Sequence, residues 1–143
     1  MSLAERIGAL LRLRIVRFGA VGGAGFVVDE AVLWTFHHLL GLDPYSARVI
    51  SIFCAATFTW WGNRNLTFAE HAATGGAGAL AREWLKFMLA NAVGALANYG
   101  TYVLCVRFAP LPLGNPLIAT AVGVAVGLVF NFTLSKRFVF RPG

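Results

Sequence analysis

The sequence predicts an all-α integral membrane protein, with four transmembrane helices in two hairpins and both termini on the cytoplasmic side. Three observations lead there. Of 143 residues, 58% are apolar and 13% charged, roughly half the charged share of an ordinary soluble domain. A soluble fold of this size would leave apolar surface that its few polar residues do not cover. Four apolar runs, near 18–40, 45–61, 87–108 and 116–134, each approach the ~20 residues that a helix needs to cross ~30 Å of hydrocarbon. Basic residues then cluster at alternate ends of those runs. The same numbers exclude disorder, whose mark is low hydrophobicity. Two cysteines, Cys54 and Cys105, both inside apolar runs, exclude a disulfide scaffold. A transmembrane barrel would alternate apolar and polar residues in ~10-residue segments, and these runs do not.

Taken in order, residues 1–17 mix Leu3, Ile7, Leu10, Leu11 and Ile15 with Arg6, Arg12, Arg14 and Arg17. This predicts a short amphipathic helix lying on the cytoplasmic leaflet and drawn to anionic membrane lipids. The run that follows is too long, and with Asp29 and Glu30 too acidic, for a cleaved signal peptide. A GLDP turn at 41–44 leads into the second span, so residues 18–68 form one two-span unit. Residues 69–85 read as a cytoplasmic linker, with AATGGAGALA at 72–81 small and flexible. Residues 86–143 hold the third and fourth spans. Arg6, Arg12, Arg14, Arg17, Arg64, Arg82, Lys86, Lys136, Arg137 and Arg141 fall on one side, against Arg48 and Arg107 on the other. The positive-inside rule makes the first side cytoplasmic. Trp60, Trp61, Trp84 and Tyr45 stand where interfacial aromatics belong. The net charge of +6 is therefore a topology signal, and no nucleic-acid partner is expected.

The two halves resemble each other. A shift of 69 places Arg17-Phe18 on Lys86-Phe87, Gly25 on Gly94 and Asp29 on Asn98. A shift of 72 places Pro44 on Pro116, Ala47 on Ala119, Phe58 on Phe130, and NRNLTF (63–68) on SKRFVF (135–140). Two spans per repeat bring both halves in from the same side, about a pseudo-two-fold axis along the membrane normal, as in parallel-repeat transporters. Ala47, Ser51, Ala55 and Thr59 on the second helix match Ala119, Gly123, Gly127 and Asn131 on the fourth. Gly19 and Gly23 on the first helix, with Ala90 and Gly94 on the third, extend the pattern. Small residues at this spacing let helices approach closely, so the stripes mark helix contacts rather than chemistry.

The polar residues inside the spans are the candidate site. Asp29 lies mid-span, on the side of Gly22 and Gly25, and a carboxylate there costs several kcal/mol unless paired, solvated or protonated. It either serves function or bonds a neighbouring helix. Glu30 points ~100° away, toward lipid, another protomer or a protonated state. Arg48 sits one turn inside the second span on the external side; it either snorkels or pairs with Asp29, Asp43 or a phosphate. Asn63 and Arg64, with Ser135, Lys136 and Arg137, gather donors suited to a lipid phosphate at the cytoplasmic ends. Positive-inside anchoring accounts equally for the basic ones, but not for Asn63 and Ser135. His37 and His38 are adjacent, so a helix points them apart, and no metal site is expected. There is no Walker A motif, dinucleotide fingerprint or nucleophile elbow. Neither a cofactor nor a catalytic constellation is expected, and the chain does not read as an enzyme.

The elements RFGAVGGAGFVVD (17–29), GLDP (41–44), NRNLTF (63–68) and NFTLSKRFVF (131–140) together resemble the GtrA-like family of small four-span membrane proteins. The resemblance implies a multi-pass protein of the bacterial cytoplasmic (inner) membrane that acts in cell-surface polysaccharide synthesis or glycosylation. It implies a flippase for a polyprenyl-phosphate-linked monosaccharide, handed to an external glycosyltransferase. It also implies that Asp29 serves the site within the first span, with Asn63, Arg64, Ser135, Lys136 and Arg137 at the headgroup. Asn98, Arg48 and Asn131 complete the expected substrate-binding set. Thr59 departs from the pattern, because the repeat has Asn131 and the family often shows Asn there. Four short helices scarcely enclose a glycolipid path, so a homo-oligomer, a dimer, is expected. Two other functions fit the sequence: an adaptor that organises a membrane glycosyltransferase, and a proton-coupled small-molecule exporter.

Overall fold

The computed structural model describes residues 1–140; Arg141 and the side chain of Tyr45, both used in the topology reading, lie outside the described residues. Helix α1 (Leu3–Trp34) continues into a π-helical turn at Thr35–Leu39. Helix α2 (Pro44–Gly62) continues into a π turn at Asn63–Thr67 and a short 3-10 turn at Ala69–His71. Helix α3 spans Ala77–Phe108, and α4 (Pro116–Leu134) ends in a π turn at Ser135–Val139. No strand occurs among the described residues. The chain divides into two compact units on either side of Thr74–Gly75, one holding α1 and α2 and the other α3 and α4.

Local chemistry sets the ends. Ser2 and Glu5 form a capping box at the start of α1, and the Ser2 backbone N–H holds the Glu5 carboxyl below its ordinary value. In the GLDP turn, Gly41 takes φ 72° just past the π turn, which suits a residue without a Cβ. The Asp43 carboxylate accepts from the Ser46 N–H at 3.0 Å, and Pro44 begins α2 with φ already helical. Two expectations need correction. Residues 1–17 are the first half of one unbroken 32-residue helix, because nothing between Arg17 and Phe18 breaks it. The expected linker 69–85 is much shorter, since the Ala- and Leu-rich segment from Ala77 is already helical. Glu83 is accordingly 3% exposed on a helix face rather than solvated in a loop.

Each unit packs the same way inside. In the first, Phe18, Val21, Gly25 and Asp29 are buried at helical spacing along α1, against a face of α2 that buries Ala47 and Ser51. Gly25 lies against Thr59 so closely that a Cβ there would collide with its methyl group. In the second, Phe87, Ala90 and Gly94 are buried on α3, and Gly94 lies directly against the Asn131 amide. Asn98 in turn covers Gly123 and Gly127 of α4. The small-residue stripes on α2, α3 and α4 therefore lie at helix contacts. The expectation for α1 fails in part: Gly19, Gly22 and Gly23 have open space beside them, and only Gly25 touches α2. Gly19, Gly22 and Gly23, spaced i, i+3 and i+4, share one face of α1, and that face is turned away from α2.

Burial is inverted relative to a soluble protein. Asp29, Ser51, Asn63, Thr67, Glu83 and Ser135 are buried, whereas Phe26, Val49, Leu96 and Val124 are each more than half exposed at mid-helix. Water penalises both features, while a hydrocarbon surround favours the exposed apolar surface and drives polar groups inward. Segments 77–108 and 118–139 are long and apolar enough to cross a membrane; α1 and α2 are more polar, through Asp29, Glu30 and Arg48. We expect Gly94→Ala to displace Asn131 and destabilise the protein by about 1–3 kcal/mol. Gly22→Ala, with open space beside it, should be neutral or slightly stabilising on helix propensity alone. Thermal unfolding in detergent, followed by circular dichroism, separates the two.

Candidate functional site

In the first unit the helix contact brings Asp29 and Arg48 together. Asp29 is carried on the buried α1 face one turn beyond Gly25, and the close approach at Gly25 and Thr59 brings α2 near. The Arg48 Nη1 donates to Asp29 Oδ2 at 2.7 Å, with the Asp29 side chain 13% and the Arg48 side chain 47% exposed. Arg48 therefore pairs with Asp29 rather than with Asp43, which caps α2. Behind the pair, the fully buried Ser51 hydroxyl donates to the Arg48 carbonyl at 2.9 Å. The second carboxylate oxygen, Asp29 Oδ1, is buried without a hydrogen-bond partner. A buried acceptor left open costs about 1–3 kcal/mol, and in native structures such atoms call for an explanation. Glu30 is exposed and faces away from the α2 contact.

The second unit repeats the geometry with neutral groups. Asn98, matching Asp29, lies over Gly123 and Gly127, and Asn131 lies over Gly94 with its Oδ1 buried and unpartnered. The position matching Arg48 is Thr120, whose hydroxyl donates to the Pro116 carbonyl at 2.8 Å. One hairpin thus holds an ion pair where the other holds an amide and a hydroxyl.

At the C-terminal ends of α2 and α4 the repeat is closer still. Each helix ladder widens to a π turn over five residues, closed by Phe68 N–H to Asn63 O and by Phe140 N–H to Ser135 O, both 2.8 Å. The widened turn swings the aromatic ring back onto the first helix of its own hairpin. Phe18 meets Phe68 edge-on at 6.2 Å, and Phe87 meets Phe140 edge-on at 6.3 Å, in the favoured geometry for aromatic pairs. Asn63 and Ser135 are each 1% exposed. Asn63 Oδ1 accepts from the Thr67 hydroxyl at 2.7 Å inside the turn. Arg64 Nη2 donates to the Ala73 carbonyl at 2.7 Å. Lys136 is half-buried and Arg137 exposed. Asn63 and Arg64 are in one unit and Ser135, Lys136 and Arg137 in the other, so each group is a feature of its own hairpin.

Sequence reasoning missed the π turns, although π turns inside helices often mark functional sites; their only signal was the paired NRNLTF and SKRFVF motifs. It also missed Glu83, buried one turn before Phe87, and the Arg17 contact with the Leu66 carbonyl at 3.3 Å. Among the described residues no three His, Cys, Asp or Glu side chains gather to hold a metal ion.

The GtrA/DPMS transmembrane domain matches residues 17–140, from Arg17, next to Phe18 of the first aromatic pair, to Phe140 of the second. The chain belongs to this family. No curated protein matches it. The GtrA/DPMS match makes the inverted burial intelligible, because a membrane protein can expose Phe, Val and Leu side chains to hydrocarbon rather than to water. The first 16 residues precede the matched domain. For the ion pair of this GtrA/DPMS domain, a double-mutant cycle of Asp29→Asn and Arg48→Gln should give a coupling of about 0.5–3 kcal/mol. Each single change strands a polar partner, so the double variant should lose less than the two singles combined. Additive losses in thermal unfolding would show that the contact contributes nothing.

Proposed function

We propose that this chain moves a polyprenyl-phosphate-linked monosaccharide across the cytoplasmic membrane, crossing it four times with both termini inside. The observation that carries the reading is the Asp29–Arg48 pair with its open carboxylate oxygen, inside a family of transmembrane domains. A phosphodiester crossing bare hydrocarbon faces a barrier of tens of kcal/mol in the Born limit. A polar seam between helices lowers that barrier while the polyprenyl chain stays in lipid.

The roles follow from charge. Asp29 repels a phosphate, so its open Oδ1 accepts from a sugar hydroxyl while Arg48 neutralises the carboxylate. Asn98 and Asn131 give the second hairpin its own neutral donors and acceptors for sugar hydroxyls. Arg64, Lys136 and Arg137 draw the anionic lipid from the cytoplasmic leaflet. Asn63 and Ser135, being buried, serve by starting the turns that carry those cations. At 19 residues, α2 and α4 extend about 28 Å, enough for the hydrocarbon layer. Without a nucleotide motif, net transport follows consumption of the sugar by a glycosyltransferase on the far side. A homodimer supplies the enclosure that four helices lack.

The test is leaflet exchange. Purified protein in liposomes, given a labelled polyprenyl-phosphate monosaccharide, should make the lipid accessible to a membrane-impermeant reagent faster than empty liposomes do. Asp29→Asn should slow exchange about tenfold, the loss of one charge-assisted hydrogen bond. Exchange at the empty-liposome rate with folded protein would favour the adaptor role instead.

A further inference from the structure

Between α1 and the end of α2, entirely within the first hairpin, lies a recess of ≈ 620 Å³, within the size range of small-molecule sites. Arg17 and Asn65 line one end, and Ala20, Ala24, Phe58 and Gly62 line the rest. Because α1 and α2 run antiparallel, residues 17 and 65 share one end and residues 24 and 58 the other, about 10 Å away. No carboxylate lines it. Glu70, next in the chain after Ala69, is held by Arg14 at 3.2 Å, so Arg17 keeps its charge uncompensated. Arg17 gives Nη1 to the Leu66 carbonyl at 3.3 Å, and a guanidinium has five donors. Asn65 gives one amide hydrogen to the Trp61 carbonyl at 2.7 Å and keeps a second.

We propose that this recess seats the phosphate end of a polyprenyl phosphate, with the phosphate on Arg17 and Asn65 and the first isoprene units along Ala20, Ala24, Phe58 and Gly62. A cation at the mouth of an apolar trough matches a lipid whose phosphate sits directly on a single hydrocarbon chain, with no polar linker between them. The internal repeat shows that the trough is a property of the first hairpin. In the second hairpin Arg17, Asn65 and Phe58 are matched by Lys86, Arg137 and Phe130, so cation and aromatic persist. Ala20, Ala24 and Gly62 are matched by the larger Leu89, Val93 and Leu134, which would narrow a corresponding trough. One lipid per chain is the consequence. The choice of a polyprenyl over an acyl lipid rests on the proposed carrier function; the phosphate and the trough do not.

The test measures binding, not transport. The full chain in phosphatidylcholine nanodiscs is titrated with undecaprenyl phosphate, undecaprenol or phosphatidylglycerol, and bound lipid is counted by native mass spectrometry. We expect one undecaprenyl phosphate per chain, and much weaker retention of the other two. Arg17→Gln should weaken it about tenfold, as for a lost hydrogen bond between charged groups, with partial rescue in Arg17→Lys. Ala20→Leu combined with Ala24→Val, which installs the second hairpin's residues without altering charge, should weaken it similarly, whereas Lys86→Gln should not. Helicity and elution volume check that each variant is folded. Unchanged affinity in both folded variants overturns the site. Equal retention of undecaprenol overturns the phosphate contact, and equal retention of phosphatidylglycerol overturns the polyprenyl assignment. If wild-type protein binds as expected but leaflet exchange stays at the empty-liposome rate, the carrier function fails and the site stands. If exchange persists while the variants bind like wild type, the site fails alone.

Discussion

Each hairpin depends on one extra residue in the hydrogen-bond ladder at the C-terminal end of its second helix. With a plain α-helical end, Phe68 and Phe140 would project a full residue step, ~100°, away from where they stand. The π turn instead returns each ring to the first helix of its hairpin, against Phe18 or Phe87. Asn63 and Ser135, which start the turns, continue the four-residue stripes of α2 and α4 and are buried, while Arg64 and Lys136 beside them are less so. A helix end would otherwise leave carbonyls open, and the Phe N–H closes one of them in each case. The basic ends are thereby fixed to the aromatic core rather than trailing from it.

Beyond those shared ends the two hairpins have diverged in opposite senses of charge and volume. The first holds the Asp29–Arg48 pair, where the second has Asn98 and Thr120. It also has small residues at 20, 24 and 62 where the second has Leu89, Val93 and Leu134. A half-buried ion pair is a poor way to stabilise a protein, since desolvation of the carboxylate offsets much of the attraction to a partner that is itself half exposed. The second hairpin packs the same helix faces with Asn98 and Thr120, without burying a charge. Each hairpin leaves one buried side-chain oxygen unpartnered, Asp29 Oδ1 in the first and Asn131 Oδ1 in the second, and the proposed sugar contacts would give these acceptors partners.

Arg14, Arg17 and Glu70 tie α1 to the segment after α2. Through Arg14 and Glu70, and through Arg17 and the Leu66 carbonyl, the charged half of α1 is held to the π turn. Exposed contacts of this kind contribute little to stability. They do set which of the clustered arginines are compensated, and Arg17 is left with most of its donors unspent.

Much of this was determined by the sequence alone. Charge deficit and run lengths required a helical membrane protein, and the offsets of 69 and 72 identified the pairs Gly25 and Gly94, Thr59 and Asn131, and Phe68 and Phe140 before any contact was known. These readings succeed because composition, helical period and repetition are properties of the chain. Tertiary structure decided the rest. Whether Arg48 met Asp29, Asp43 or solvent depended on how closely α2 approaches α1, which Gly25 and Thr59 set together. That Gly22 and Gly23 face open space while Gly25 is packed depended on the rotation of α1 about its own axis. The return of Phe68 and Phe140 onto the first helix of each hairpin required a change in hydrogen-bond register that no residue type encodes by itself. Spacing along a chain gives the candidates for contact; the helix crossing selects among them.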